Sequence, residues 1–109
     1  MDNLQSIIER VRAAFEAKNA ARDQALARSR ELIRVCSLSI RATHRHEFTD
    51  AEKLLVQVRS LANAMSSDLA AYPDLYHAGY TEDASKEVAE AHIVHAWVHH
   101  DPLPDPEAL

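Results

Sequence analysis

Two glutamates, Glu87 and Glu90, could hold a metal ion between them. Plotted at 100° per residue from Glu87, Val94 and Val98 fall within about 20°, Ala91 at about 40° and Ala84 at about 60°. Glu87 is therefore expected in the middle of an apolar arc, with Glu90 at its edge between Val94 and Trp97. An ionised carboxylate on a buried face is costly unless it is paired or bound to a cation. Spacing of i, i+3 puts two carboxylates within reach of one ion, and Mg²⁺ takes one or two protein carboxylates while keeping several waters. Asp83, one turn earlier, could join them. The same pair also admits a structural reading, in which Glu87 is salt-bridged to an Arg of the second predicted helix.

A second constellation is basic. Arg30, Arg34, Arg41 and Arg45 fall within about 60° of one another on a helix and span roughly 22 Å. Arg forks in line make a candidate phosphate track, whereas pairing with Glu31 and Glu47 would make the same residues a solvated helix face. Histidines form a third group, with His92, His95 and His99 on one stretch and His44 and His46 on another. Carboxylate-bridged di-iron bundles need Glu-x-x-His on paired helices, and no Glu here is followed by His three residues on. These histidines are expected at a surface or subunit interface, and Trp97 and Cys36 in the core. Nothing in the sequence activates Cys36 as a nucleophile.

Helices must position these groups. The chain has 109 residues, 19 of them Ala and only one Gly, which favours helix over a many-turned β fold and excludes a Gly-rich phosphate loop. Asp2 to about Ala17 carries an apolar stripe of Leu4, Ile7, Ile8, Val11, Ala14 and Phe15. After a weak point at Lys18-Asn19, where the chain either continues helically or bends, a second helix is predicted from about Ala21 to His46, with a packing seam of Leu26, Ser29, Ile33, Cys36, Ile40 and Thr43 widened by Leu32, Val35 and Ser39. Thr49-Asp50-Ala51-Glu52 has capping-box spacing and should open a third helix, which ends by Tyr72 because of Pro73. An irregular link over Pro73–Tyr80 leads to a fourth helix, capped by Thr81 and running to about His99. Residues 101–109 form a Pro-rich tail. The expectation is an all-α fold, an antiparallel bundle of about four helices in a single domain.

Charge and cysteine content narrow the function. A formal charge of -5 argues against nucleic acid as an average, but the Arg line concentrates positive charge on one face. One Cys excludes an internal disulfide framework and suits a reducing, cytoplasmic setting. No stretch has the layout of a signal peptide or the length of a membrane span, so no membrane partner is expected.

Two stretches carry a resemblance. Arg30-Glu-Leu-Ile-Arg-Val-Cys-Ser-Leu-Ser-Ile-Arg-Ala-Thr-His-Arg45, with Ala51-Glu-Lys-Leu-Leu55, is similar to the second-helix signature of the translin family. So is Pro73-Asp-Leu-Tyr-His-Ala-Gly-Tyr-Thr-Glu-Asp83, followed by Lys86-Glu-Val-Ala-Glu-Ala91 and Pro102-Leu-Pro-Asp-Pro-Glu-Ala-Leu109. The resemblance implies the first half of the translin fold. It also implies homo- or hetero-oligomers with translin-like subunits around a hollow shell, and binding of single-stranded RNA or DNA. Glu87, Glu90 and Ala91 match the Glu-x-x-Glu-Ala motif of the translin-associated factor X branch, a metal-dependent endoribonuclease. That match implies metal-assisted phosphodiester hydrolysis with Mg²⁺ on Glu87 and Glu90, and the strand positioned by Arg30, Arg34, Arg41 and Arg45.

The chain departs from the pattern in three places. Val88 stands where an aromatic is usual and Lys86 where Gln is usual. Family members are roughly twice this length, and their second half supplies further site residues, an Asp and a Gly-Glu-Leu-type segment. This sequence is therefore expected to be a fragment, a split subunit, or a nucleic-acid-binding or assembly module without catalysis. A further alternative is a metal-independent helical RNase of the HEPN type, with Arg41 stabilising charge and His46 as general base.

Overall fold

The computed structural model describes residues 3–99, all in helices and short turns. The Pro-rich tail predicted at 101–109 lies outside the described residues. Helix α1 spans Asn3–His44, α2 Phe48–Asp68, α3 Pro73–Tyr76 and α4 Gly79–His99. The protein is an all-α helical bundle.

The chain continues helically through Lys18-Asn19, so the first two segments form one helix. α1 runs unbroken for 42 residues, because neither Lys18 nor Asn19 breaks a helix and Ala20-Ala21 after them are strong helix formers. Its packing seam keeps Ser29, Cys36 and Thr43 of the predicted line, and takes Ala25 with the flanking Leu32 and Ser39 in place of Leu26, Ile33 and Ile40. Ala25, Ser29, Leu32, Cys36, Ser39 and Thr43 are buried, whereas Leu26, Ile33 and Ile40 are only partly covered. Small residues win the centre of the seam because α1 is packed on by both α2 and α4, and close helix approach needs short side chains.

α1 ends in a Schellman motif. His46 Nα donates to the Thr43 carbonyl at 3.0 Å and Glu47 Nα to the Ala42 carbonyl at 2.9 Å. His46 takes the left-handed conformation, at φ 60°, that such a cap requires and that glycine usually supplies. This turn displaces the predicted capping box. Glu47, not Thr49, occupies the N-cap of α2, without a side-chain hydrogen bond. Thr81 likewise does not cap α4. It lies within the first turn, buried, and its hydroxyl donates to the Leu75 carbonyl at 3.2 Å, tying α3 to α4. The link predicted as irregular contains the single-turn helix α3, opened by Pro73 at its first position.

The core joins Leu32, Val35 and Cys36 of α1 to Leu55, Val58 and Met65 of α2, Leu69 beyond its end, and Ala84, Val88 and Ala91 of α4. Its buried hydroxyls are satisfied locally, with Thr43 Oγ1 donating to the Ser39 carbonyl at 2.9 Å and Ser39 Oγ to the Ala51 carbonyl at 3.3 Å. Lys18 Nζ meets Asp74 Oδ2 at 2.6 Å, marking how far toward the N-terminus of α1 the bundle reaches. Beyond it, the first turns of α1 project as a bare arm, and the molecule measures 67 × 22 × 18 Å.

Candidate nucleic-acid interface and carboxylate pair

All four arginines of the predicted stripe are exposed, Arg30, Arg34 and Arg41 on α1 and Arg45 in the turn directly after it. Arg34 is held by Glu31, with Nη2–Oε1 at 2.6 Å and Nε–Oε2 at 3.0 Å. That two-pronged contact draws the Glu31 carboxyl below its ordinary pKa, chiefly through the Arg34 hydrogen bond. Arg30, Arg41 and Arg45 make no ion pair among the described residues. Two shallow grooves follow the junction of α1 with α2. One, of about 340 Å³, is lined by Arg34, Gln57, Ser60 and Leu61, and the other, of about 280 Å³, by Arg41, Arg45, Glu47 and Asp50. Arg41 also stands in the last turn of α1, where a cation suits the negative end of the helix dipole.

The carboxylates are not where the helical plot put them. Val88, Ala84, Ala91 and His95 form the buried face of α4, while Glu87 is half-buried and Glu90 exposed. That face is centred about 70° round the helix from Glu87. The predicted salt bridge to an Arg is absent, and neither carboxylate has a cationic partner among the described residues. Both carboxylates act on one point of α1. The Cys36 thiol is pushed up to about 11 by burial, then by the charges of Glu87 and Glu90.

Cys36 lies about 150° round α1 from the arginine stripe. The basic track and the carboxylate pair therefore occupy opposite sides of one helix. Among the described residues, no three His, Cys, Asp or Glu side chains are grouped to hold a metal ion. Glu87 and Glu90 suit Mg²⁺ only as a partial ligand set, with water or further carboxylates completing it.

The raised thiol has a measurable consequence. A group protonated more tightly in the folded chain contributes stability below its ordinary value, here 9.0, that is lost as pH climbs toward about 11. At pH 8, native Cys36 should react with a soluble thiol reagent far more slowly than the urea-unfolded chain does. Equal rates in both would show that the thiol is not shielded.

Sequence reasoning missed a cluster at the far end of the bundle. Phe48 stacks edge-on against His99 at 4.6 Å, His46 at 5.2 Å and His95 at 6.2 Å, and His95 lies parallel to His99 at 5.4 Å. His95 is buried, against the expected surface position, with Nε2 at 3.8 Å from Glu52 Oε1. His92 is lowered from its ordinary pKa by burial, then by Arg59 and His95. Trp97, expected in the core, is 72% exposed beside exposed Ile93. Arg41 and His46 are both exposed near the C-terminal end of α1.

No known protein family matches this chain, and no curated protein or solved structure does so either.

Proposed function

We propose that this protein binds single-stranded RNA or DNA along the arginine face of α1, as a translin-like subunit of an oligomer. The observation that carries the reading is that Arg30 and Arg41 of α1 and Arg45 in the turn directly after it stand exposed without ion pairs among the described residues. Holding cations unpaired in an acidic chain leaves their forks open to an anionic backbone. The preference for a single strand, and for translin-like partners, rests on the family resemblance.

Catalysis belongs to the same proposal in a restricted form. Glu87 and Glu90 would hold Mg²⁺, which when bound supplies charge neutralisation at a scissile phosphate. Because the pair lies across α1 from the arginines, a strand tracked by Arg30, Arg41 and Arg45 does not pass it within one chain. An endoribonuclease would need carboxylates or strand contacts from another segment or chain. The same placement favours the second reading, a binding module without catalysis.

Fluorescence anisotropy with a short labelled single-stranded RNA tests both. Three phosphate contacts give a salt slope of about −2 for a single strand, so raising salt from about 50 to 200 mM should weaken binding about twentyfold. Binding indifferent to salt, or none at low salt, would overturn the proposal. With Mg²⁺ added, cleavage lost in Glu87→Gln/Glu90→Gln supports the nuclease reading, and binding without cutting supports the module.

A further inference from the structure

The bare arm of α1 is built to be covered. Leu4, Val11 and Phe15 are 65%, 63% and 67% exposed, with Ile7 and Ile8 about half-exposed beside them. Five large apolar side chains on one stripe are more than a surface helix leaves in water without a partner.

The stripe continues a seam that is buried further along the same helix. Leu4, Ile8, Val11 and Phe15 alternate by four and three residues, and the alternation passes through Lys18 and Arg22 into Ala25, Ser29, Leu32, Cys36, Ser39 and Thr43. That is an unbroken heptad pattern over the length of α1. Its second half is packed on by α2 and α4. Its first half has the same period and no cover among the described residues, so the occupant is expected to be a helix.

Among the described residues, neither end of the bundle supplies one. α3 and the Lys18–Asp74 contact mark the reach of the bundle toward the arm. His99, the last described residue, lies at the opposite end, packed on Phe48.

The geometry points to a second copy of this chain, its arm lying antiparallel on the first. With Ile8 opposite Val11 of the second copy, Leu4 meets Phe15, Ile7 meets Ala14, and Gln5 lies beside Arg12. No like charges face each other. A parallel pair would instead bring Lys18 onto Lys18 and Arg22 onto Arg22 inside the seam, which is costly. The antiparallel register carries those cations past the end of the opposing stripe. Such a pair buries roughly 1,000 Å², at the threshold of a specific interface. The inference stands on the arm alone and does not depend on the nucleic-acid reading, although it gives the proposed assembly one of its contacts.

Sedimentation velocity of the full chain from micromolar to submillimolar concentration should show a monomer–dimer equilibrium. Ile8→Asp/Val11→Asp should raise the dissociation constant roughly a hundredfold or more while leaving the far-ultraviolet circular dichroism and RNA affinity of the monomer in place. Orientation is read by disulfide trapping, with Cys36 shielded in the core. An equimolar mixture of Ile8→Cys and Val11→Cys should cross-link, and Ile8→Cys alone should not. A wild-type monomer throughout, a dimer untouched by the Asp pair, self-linking of Ile8→Cys, or a monomer whose stripe instead binds anionic lipid vesicles would each overturn the inference.

Discussion

Leu32→Ala should lower the melting temperature by roughly 12–24 °C. Leu32 is fully buried in the second half of α1, in the cluster that α2 and α4 share. Truncating such a leucine removes its transfer free energy and leaves a cavity, about 3 kcal/mol together. For a domain of this size each kcal/mol is worth about 4–8 °C. The loss is large because α2 and α4 both pack mainly on α1, so a void beneath Leu32 loosens two interfaces at once. Leu32→Met, which nearly conserves volume, should cost under about 1.5 kcal/mol. Ile8→Ala on the bare arm should barely move the melting temperature at concentrations where the chain is monomeric. Thermal unfolding followed by circular dichroism, at one fixed protein concentration, separates the three. If Leu32→Ala melted like the parent chain, α1 would not be the centre of the core.

Helix content was legible because the cues were local. Ala-rich stretches, apolar residues at i, i+3 and i+4, and a single Gly all argue one way. What failed was the choice of face. α4 has apolar residues nearly all round, with Val88, Ala91, Ile93, Val94, Ala96, Trp97 and Val98, so a plot centred on the large ones looked as sound as one centred on the small ones. Close packing against α1 selected Ala84, Val88 and Ala91, and turned Trp97 and Ile93 outward. The same packing buried Ala25, Leu32 and Ser39 of α1 in place of Leu26, Ile33 and Ile40. Caps misled for a related reason. Thr49 and Thr81 have the right neighbours for capping, but the Schellman turn at His46 and the α3 turn start each helix earlier. The candidate site was legible as two sets of residues, not as an arrangement. The angular positions of the arginines and of Cys36 on α1 follow from the sequence. That Glu87 and Glu90 act on the Cys36 side follows only once α4 is docked.

The arginine face carries the other large effect. Arg30→Gln/Arg41→Gln/Arg45→Gln should reduce affinity for single-stranded RNA about a hundredfold at low salt and bring the salt slope from about −2 close to zero. Three charge-assisted contacts at about 1 kcal/mol each account for the first figure, and three fewer displaced counterions for the second. Melting should change little, because all three side chains are exposed and unpaired among the described residues. Arg34 supplies a change of opposite sign. Its fork is occupied by Glu31 at 2.6 Å, so it adds little to a phosphate track while that carboxylate stands beside it. Glu31→Gln weakens that hold and removes a repelling charge, and should tighten binding and steepen the slope toward about −3. A solvated face without a ligand predicts none of this, since neither change would then alter RNA affinity. Loss in the triple variant together with gain in Glu31→Gln would place the strand on this side of α1. Loss without gain would confine the track to Arg30, Arg41 and Arg45, leaving the Arg34 fork to its intrahelical partner.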